Sequence, residues 1–197
     1  MLKRLGRWSA ATSAVLTIAV LLLLTVPTLA LAATTPAWPT AGELQVPAGG
    51  SSPSLLGVSC TSAHNCQAVG GYFVAGVGHA LLATETNGSW TPTSPISPPS
   101  SAGSGVSLDL DAITCLSAEN CVAVGSYSIP SADSYVFAVT ETDGTWGSVN
   151  TITLPDNAAA QALPELASVA CTSPGNCVAV GSYDNSDSTS DPPTATP

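Results

Sequence analysis

The sequence predicts an all-β protein assembled from tandem four-stranded antiparallel units, and three observations predict it. An 18-residue pattern is written three times: LLGVSCTSAHNCQAVGGY at 55–72, LDAITCLSAENCVAVGSY at 110–127 and LASVACTSPGNCVAVGSY at 166–183. The copies begin 55 and 56 residues apart, and a fixed period of that size marks a repeat architecture. The first two copies are each followed by an Asx-Gly turn and a tryptophan, Asn87-Gly88-Ser89-Trp90 and Asp143-Gly144-Thr145-Trp146.

The chain opens with an export signal, residues 1–32. Lys3, Arg4 and Arg7 form its basic start, Ala14 to Val26 its apolar run, and Pro27 breaks the helix. Ala30-Leu31-Ala32 supplies the small-x-small pattern, which places cleavage after Ala32. An uncleaved N-terminal membrane anchor is the alternative, because Ala14 to Ala32 carries no charge and is nearly long enough to span. On either reading the rest of the chain lies outside the cytoplasm, where disulfides persist.

Residues 33–54 form a Pro/Gly/Ser-rich lead-in. Trp38 and the GELQVP shortly after it resemble the residues next to the repeat tryptophans, so a lone outer strand is expected near Trp38 to Val46.

Repeat 1 spans 55–109, repeat 2 spans 110–165, and a half repeat 3 spans 166–183. Each begins with a hairpin. Apolar residues alternate up to the first cysteine (Val58 and Cys60, Ile113 and Cys115, Val169 and Cys171), which is strand patterning. A polar five-residue turn comes next, ending in Asn65, Asn120 or Asn176, and Asn tolerates left-handed backbone there. Cysteines flanking a hairpin turn lie within disulfide reach. The pairs are therefore Cys60 with Cys66, Cys115 with Cys121 and Cys171 with Cys177. Zinc is the rival reading, but its cysteine pairs favour two to four intervening residues rather than five.

A second hairpin completes each full unit. Its strands run from Ala80 to Thr86 and from Tyr135 to Thr142, and the Asn-Gly or Asp-Gly after each is the strongest short hairpin signal. Four strands per unit is the content of one propeller blade. The third unit stops after Tyr183, and 184–197 form a polar low-complexity tail. About three blades result, against four to eight in typical propellers. The expectation is a partial β-propeller, favoured as a piece of a longer protein over an oligomerising fragment. A β-trefoil-like three-fold repeat is the alternative fold.

On these residues the units resemble the β-propeller repeats of secreted bacterial proteins, with C-x5-C-x-A-V-G followed by a D-G-x-W hairpin. Glu141 to Trp146, ETDGTW, is also similar to the Asp-box hairpin of sialidase-like propellers. It departs from that box, which sets one residue between Asp and Gly and another between Gly and Thr. The resemblance covers 55–183 and is specific for the repeat. It implies that these hairpins are structural and lie away from the ligand-binding face.

Charge narrows the function. All three basic residues lie in the leader, so 33–197 has no Lys or Arg, while all 13 Asp and Glu remain. Nucleic-acid binding is close to excluded, because phosphate contacts rely on basic side chains. No membrane partner is expected apart from the signal segment. A self-sufficient sialidase site is also ruled out, since the resemblance implies arginines holding the substrate carboxylate there and the exported part has none.

The candidate site comes from blade geometry. Cysteine turns and Asx-Gly turns share one face and are nearly identical between repeats. Phe73 to His79, Ser94 to Asp111, Ser128 to Ser134 and Pro155 to Pro164 share the other face and vary, as binding faces of repeat proteins do. The binding-face candidates are His79, Asp109, Asp111 and Asp133. Asp109 and Asp111 lie two apart with no counterpart in the other units, which suits Ca²⁺. A solvated loop entering a strand is the favoured reading of the pair, so no cofactor is assigned. Asp184, Asp187 and Asp191 read as tail. Glu85 and Glu141 recur once per unit, as repeat surface residues do. His64 and His79 lack ligand-spaced partners for zinc, and no G-x-S-x-G elbow occurs.

The favoured function is a secreted, non-catalytic repeat module that binds an extracellular glycan, cation or protein partner through variable loops. A fragment of a secreted propeller enzyme, glycosidase-like and lacking active-site blades, is the alternative.

Overall fold

A computed structural model of the chain describes residues 42–92, 96–131 and 133–186, with the backbone of 194–196. The described residues from Gly42 onward belong to one compact unit. It is all-β, with a single 3₁₀ turn at Ser100–Ala102.

Three antiparallel sheets form, one per repeat. The first contains β1 (Ser51–Ser62), β2 (Asn65–Val74), β3 (Val77–Thr86) and β4 (Ser89–Pro92) in that order. The second contains β5 (Ser107–Ser117), β6 (Asn120–Ser128), β7 (Ser134–Thr142) and β8 (Thr145–Trp146) in the same order. A short β9 (Asn150–Thr151) also pairs with β7. The third contains β10 (Glu165–Ser173), β11 (Asn176–Ser182) and β12 (Thr194–Thr196). Among the described residues the sheets form neither a closed barrel nor a closed ring.

The expected cysteine hairpins are present. Cys60 pairs with Cys66, Cys115 with Cys121 and Cys171 with Cys177, as directly opposed residues of β1–β2, β5–β6 and β10–β11. Their Cα atoms are 4.0 Å apart in each case. Each bridge closes a small loop and stabilises the fold by about 2 kcal/mol in the chain-entropy account.

The turn between the cysteines differs from expectation. The ladder closes at Ser62–Asn65, Ser117–Asn120 and Ser173–Asn176, so only two residues lie outside it. The left-handed residue is His64 in the first turn and Gly175 in the third, not the asparagine. The asparagine instead reaches back across the turn. Its side-chain amide donates to Ser62, Ser117 and Ser173 Oγ at 2.8, 2.9 and 2.7 Å. That bond explains the repeated S-x-x-N spacing.

The motif glycine has a packing cause. A side chain at Gly70, Gly125 or Gly181 would collide with the carbonyl of Ser54, Asp109 or Glu165 on the neighbouring first strand. Two residues after that carbonyl each first strand carries a β-bulge, at Leu56, Asp111 and Ala167. The bulge inserts one residue. It thereby lets Leu110 and, three residues on, Ile113 face the same neighbour, where strict alternation would not.

The sheets stack face to face. Val69 and Leu82 of the first sheet pack on Leu110, Ile113, Ala123 and Phe137 of the second. Val124 and Val136, on the other face of the second sheet, pack on Leu166, Val169 and Ala179 of the third. The first strands neighbour one another, with β5 contacting both β1 and β10. Cys115 N–H of β5 donates to Ser59 Oγ of β1 at 2.9 Å.

Several boundaries move. β1 begins at Ser51, inside the lead-in. Gly42 to Val46 has no strand, and Trp38 lies outside the described residues. The Gly-rich connection at 73–79 is not a loop: β2 and β3 pair as far as Val74 and Val77. Ala75-Gly76 turns the corner with φ of 49° and 83°, matching Asn87-Gly88 at 52° and 81°. The tail is tied down at its start. Asp184 exchanges backbone hydrogen bonds with Ala159 and Ala162, and Ser186 N–H donates to Asn157. Thr194–Thr196 then adds the third strand expected to be missing.

Candidate functional site

The ends of the strands opposite the cysteine turns enclose a cleft of about 210 Å³ between the first and second sheets. Its walls come from β1 (Ser54), the β2–β3 hairpin (Gly71 to Phe73, and Gly78), the start of β5 (Ser107 to Asp109), the end of β6 (Ser126 to Ser128) and Ser134 of β7. Three of the four segments expected on the variable face contribute: 73–79, 94–111 and 128–134.

Asp109 is its carboxylate. A side chain at Gly71 would occupy the space of the Asp109 carboxyl group, so the glycine at 71 makes room for it. Repeats two and three place Ser126 and Ser182 there instead. Asp109 Oδ1 accepts the Leu110 N–H at 2.9 Å. Burial raises the Asp109 carboxyl above its ordinary value, and the Leu110 hydrogen bond partly opposes that rise.

Hydroxyls and rings complete the cleft. Ser107 Oγ accepts the Gly78 N–H at 3.0 Å, which joins the two sheets at the wall. Tyr72 and Tyr127 belong to the lining although largely buried, and Phe73 presents an exposed ring. Tyr127 stacks on Tyr135, ring centroids 5.0 Å apart, and its hydroxyl bonds Thr151 at 3.0 Å.

The other candidates fall around this cleft rather than in it. His79 is not at a loop end but third in β3, paired with Tyr72, its ring centroid 5.5 Å from the tyrosine ring. Asp133 precedes the lining Ser134. Its carbonyl accepts Ile129 N–H at 3.0 Å and its carboxylate accepts Ser131 Oγ at 3.3 Å. Asp111 does not share a loop with Asp109: both lie within β5, and Asp111 is the bulge residue. Burial, then Asp109 and then Glu165 push the Asp111 carboxyl up to about 6. Contrary to expectation, Asp109 does have a counterpart in the third unit. Glu165 stands opposite Ser182 as Asp109 stands opposite Ser126.

Glu85 and Glu141 sit at the cysteine-turn end, near Glu119 of the second turn. Glu141 was expected on the surface but is buried, and Gln67 Nε2 donates to its carboxylate at 2.7 Å and to Ala118 O at 3.2 Å. Burial raises its pKa, Gln67 lowers it, and Glu119 raises it further. Glu85, its register equivalent, stands 3.9 Å from the exposed His64 ring. A larger cleft of about 800 Å³ runs along Ile96 to Ser101 and Gly144 to Val149, but Glu141, its one carboxylate, is taken by Gln67.

Among the described residues no group of three or more His, Cys, Asp and Glu is arranged to hold a metal ion. The fold and the cleft define a disulfide-clamped all-β repeat protein. A scan of protein-family models finds no match to this chain, and a search of curated proteins finds none either.

Proposed function

We propose that the chain is a secreted, non-catalytic module that binds uncharged glycan through the cleft around Asp109. The observation that carries this is the set of groups at one place: a half-buried carboxylate, several serine hydroxyls and the exposed Phe73 ring. A carboxylate and hydroxyls exchange hydrogen bonds with sugar hydroxyls, and an apolar ring covers the C–H face of a sugar. At about 210 Å³ the cleft is smaller than pockets that enclose a drug-sized ligand, which suits the end of an oligosaccharide chain.

The β-propeller reading belongs to the same proposal. Adjacent first strands, and sheets stacked in chain order, are the arrangement that successive propeller blades adopt. Export is supported by the leader sequence and by three disulfides, which persist outside the cytoplasm. Trypsin should leave the secreted protein uncut even when it is reduced and unfolded. Cleavage near the start would mean that the leader is retained.

Binding is tested on a glycan array and by calorimetry, comparing the secreted protein with Asp109→Asn. Retention of neutral oligosaccharides, weakened about tenfold or more in the variant, supports the reading; a bidentate or charge-assisted hydrogen bond is worth that much. No retained glycan, or equal binding by a folded Asp109→Asn protein, removes it.

A further inference from the structure

One interface is built twice inside this chain, and each half of it recurs once more in the open. In the first instance Gln67 and Val69 of β2 meet the second sheet, whose Leu110 and Ile113 lie across from them. In the second, Val122 and Val124 of β6 meet Leu166 and Val169 of the third sheet. The leading half thus comes from a second strand, and the trailing half from the first strand of the following sheet.

The register equivalents left over are Val178 and Val180 on β11, and Leu55 and Val58 on β1. All four are exposed. Val180 is 39% exposed where Val69 and Val124 are 0% and 1%. Val58 is 61% exposed where Ile113 and Val169 are 7% and 8%. Across the same face as Val58, Ala68, Leu81 and Ala83 are buried, so the open trailing strip is that of the edge strand β1. Water gives no reason to keep valine at 58, 178 and 180, and apolar strips of this kind mark contact surfaces.

We propose that the third sheet of one copy docks on the first sheet of a second copy, head to tail. The occupant is a second copy because a Leu-x-x-[Val/Ile] trailing strand twice receives a leading strand through the valine at one register position, Val69 or Val124, and Val180 holds that position on β11. This chain carries that strip exposed on β1. The two strips are unlike, so the association is heterologous and either closes into a ring or extends. None of the four side chains is charged, while each copy carries a large acidic excess. Salt should therefore strengthen the contact by screening repulsion. The proposal stands on repeat register and is independent of the Asp109 cleft.

Sedimentation of the secreted protein over a range of concentrations tests it. Self-association is expected, with Val58→Asp and Val180→Asp each weakening it about tenfold or more. Mixing the two variants should restore a dimer and nothing larger, because each retains the strip the other lacks. Should aspartate perturb the sheets, as judged by circular dichroism, Val58→Thr and Val180→Thr carry the same comparison. A protein that stays monomeric at every concentration overturns the proposal. So does association that survives both substitutions, or a mixture that fails to recover.

Discussion

The side-chain amide of Gln67, in the first sheet, donates to the carboxylate of Glu141, in the second, at 2.7 Å, and both residues are buried. The same amide reaches Ala118 O in the second cysteine turn at 3.2 Å. This polar tie joins the two sheets beside their apolar core, together with the Cys115–Ser59 and Gly78–Ser107 hydrogen bonds. Removing one partner leaves a buried carboxylate short of a donor, which costs about 1–3 kcal/mol. Gln67→Ala should lower stability by that amount in denaturant unfolding. Glu141→Leu added to it should recover part of the loss, and a Gln67→Ala protein as stable as the parent would show that the tie contributes nothing.

Stability should rise on mild acidification. The folded-state value of Asp111 stands at about 6, above its ordinary 3.8, and those of Asp109 and Glu141 are raised too, burial being the first cause in each. A carboxyl raised in the folded state is penalised when ionised. Its share of stability is therefore complete below the unfolded value and is lost as pH rises through the folded one. The unfolding midpoint should climb as pH falls from about 7 to about 4. Asp111→Asn should raise the midpoint at pH 7 by about 2–4 °C, after allowance for solvent screening, and flatten the profile. A midpoint that drops steeply over that window would contradict this assignment.

Two neighbouring glycine positions should respond differently. At Gly125 an added side chain meets the backbone carbonyl of Asp109, which cannot yield without moving the strand. Gly125→Ser should cost about 1–3 kcal/mol, as overpacking does. At Gly71 the obstacle is the far end of the Asp109 side chain, which can swing aside. Gly71→Ser should unfold near the parental midpoint while displacing the carboxyl from the cleft and weakening any glycan binding. Equal destabilisation of the two variants would contradict the distinction.

Strand pairing within each repeat was legible because it is local. Cysteines six apart and Asx-Gly turns declare their hairpins within a few residues. Ala75-Gly76 adopts the same backbone as Asn87-Gly88 without the side-chain signature, so the short hairpin at 73–79 read as a loop. The bulges at Leu56, Asp111 and Ala167 share no residue type, which hid them and the true placement of Asp111. Counting the repeats from Leu55, Leu110 and Leu166 assigns Asp109 and Glu165 to the preceding segments and conceals their equivalence. Of the site, the variable segments were legible but their meeting point was not. Gly71 makes room for Asp109 across 38 positions, and Gln67 meets Glu141 across 74, distances that only sheet packing bridges. One signal was available: the GG of the first repeat against GS in the other two.

Each repeat is held as its own sheet by its own bridge, and the pairing of the six cysteines tests this most directly. Digestion after acidic residues without reduction, followed by mass spectrometry, should recover Cys60–Cys66, Cys115–Cys121 and Cys171–Cys177 as the bridges. Cleavage at Glu119 should leave two peptides joined through sulfur alone. Free thiols, or a bridge between cysteines of different repeats, would contradict the account.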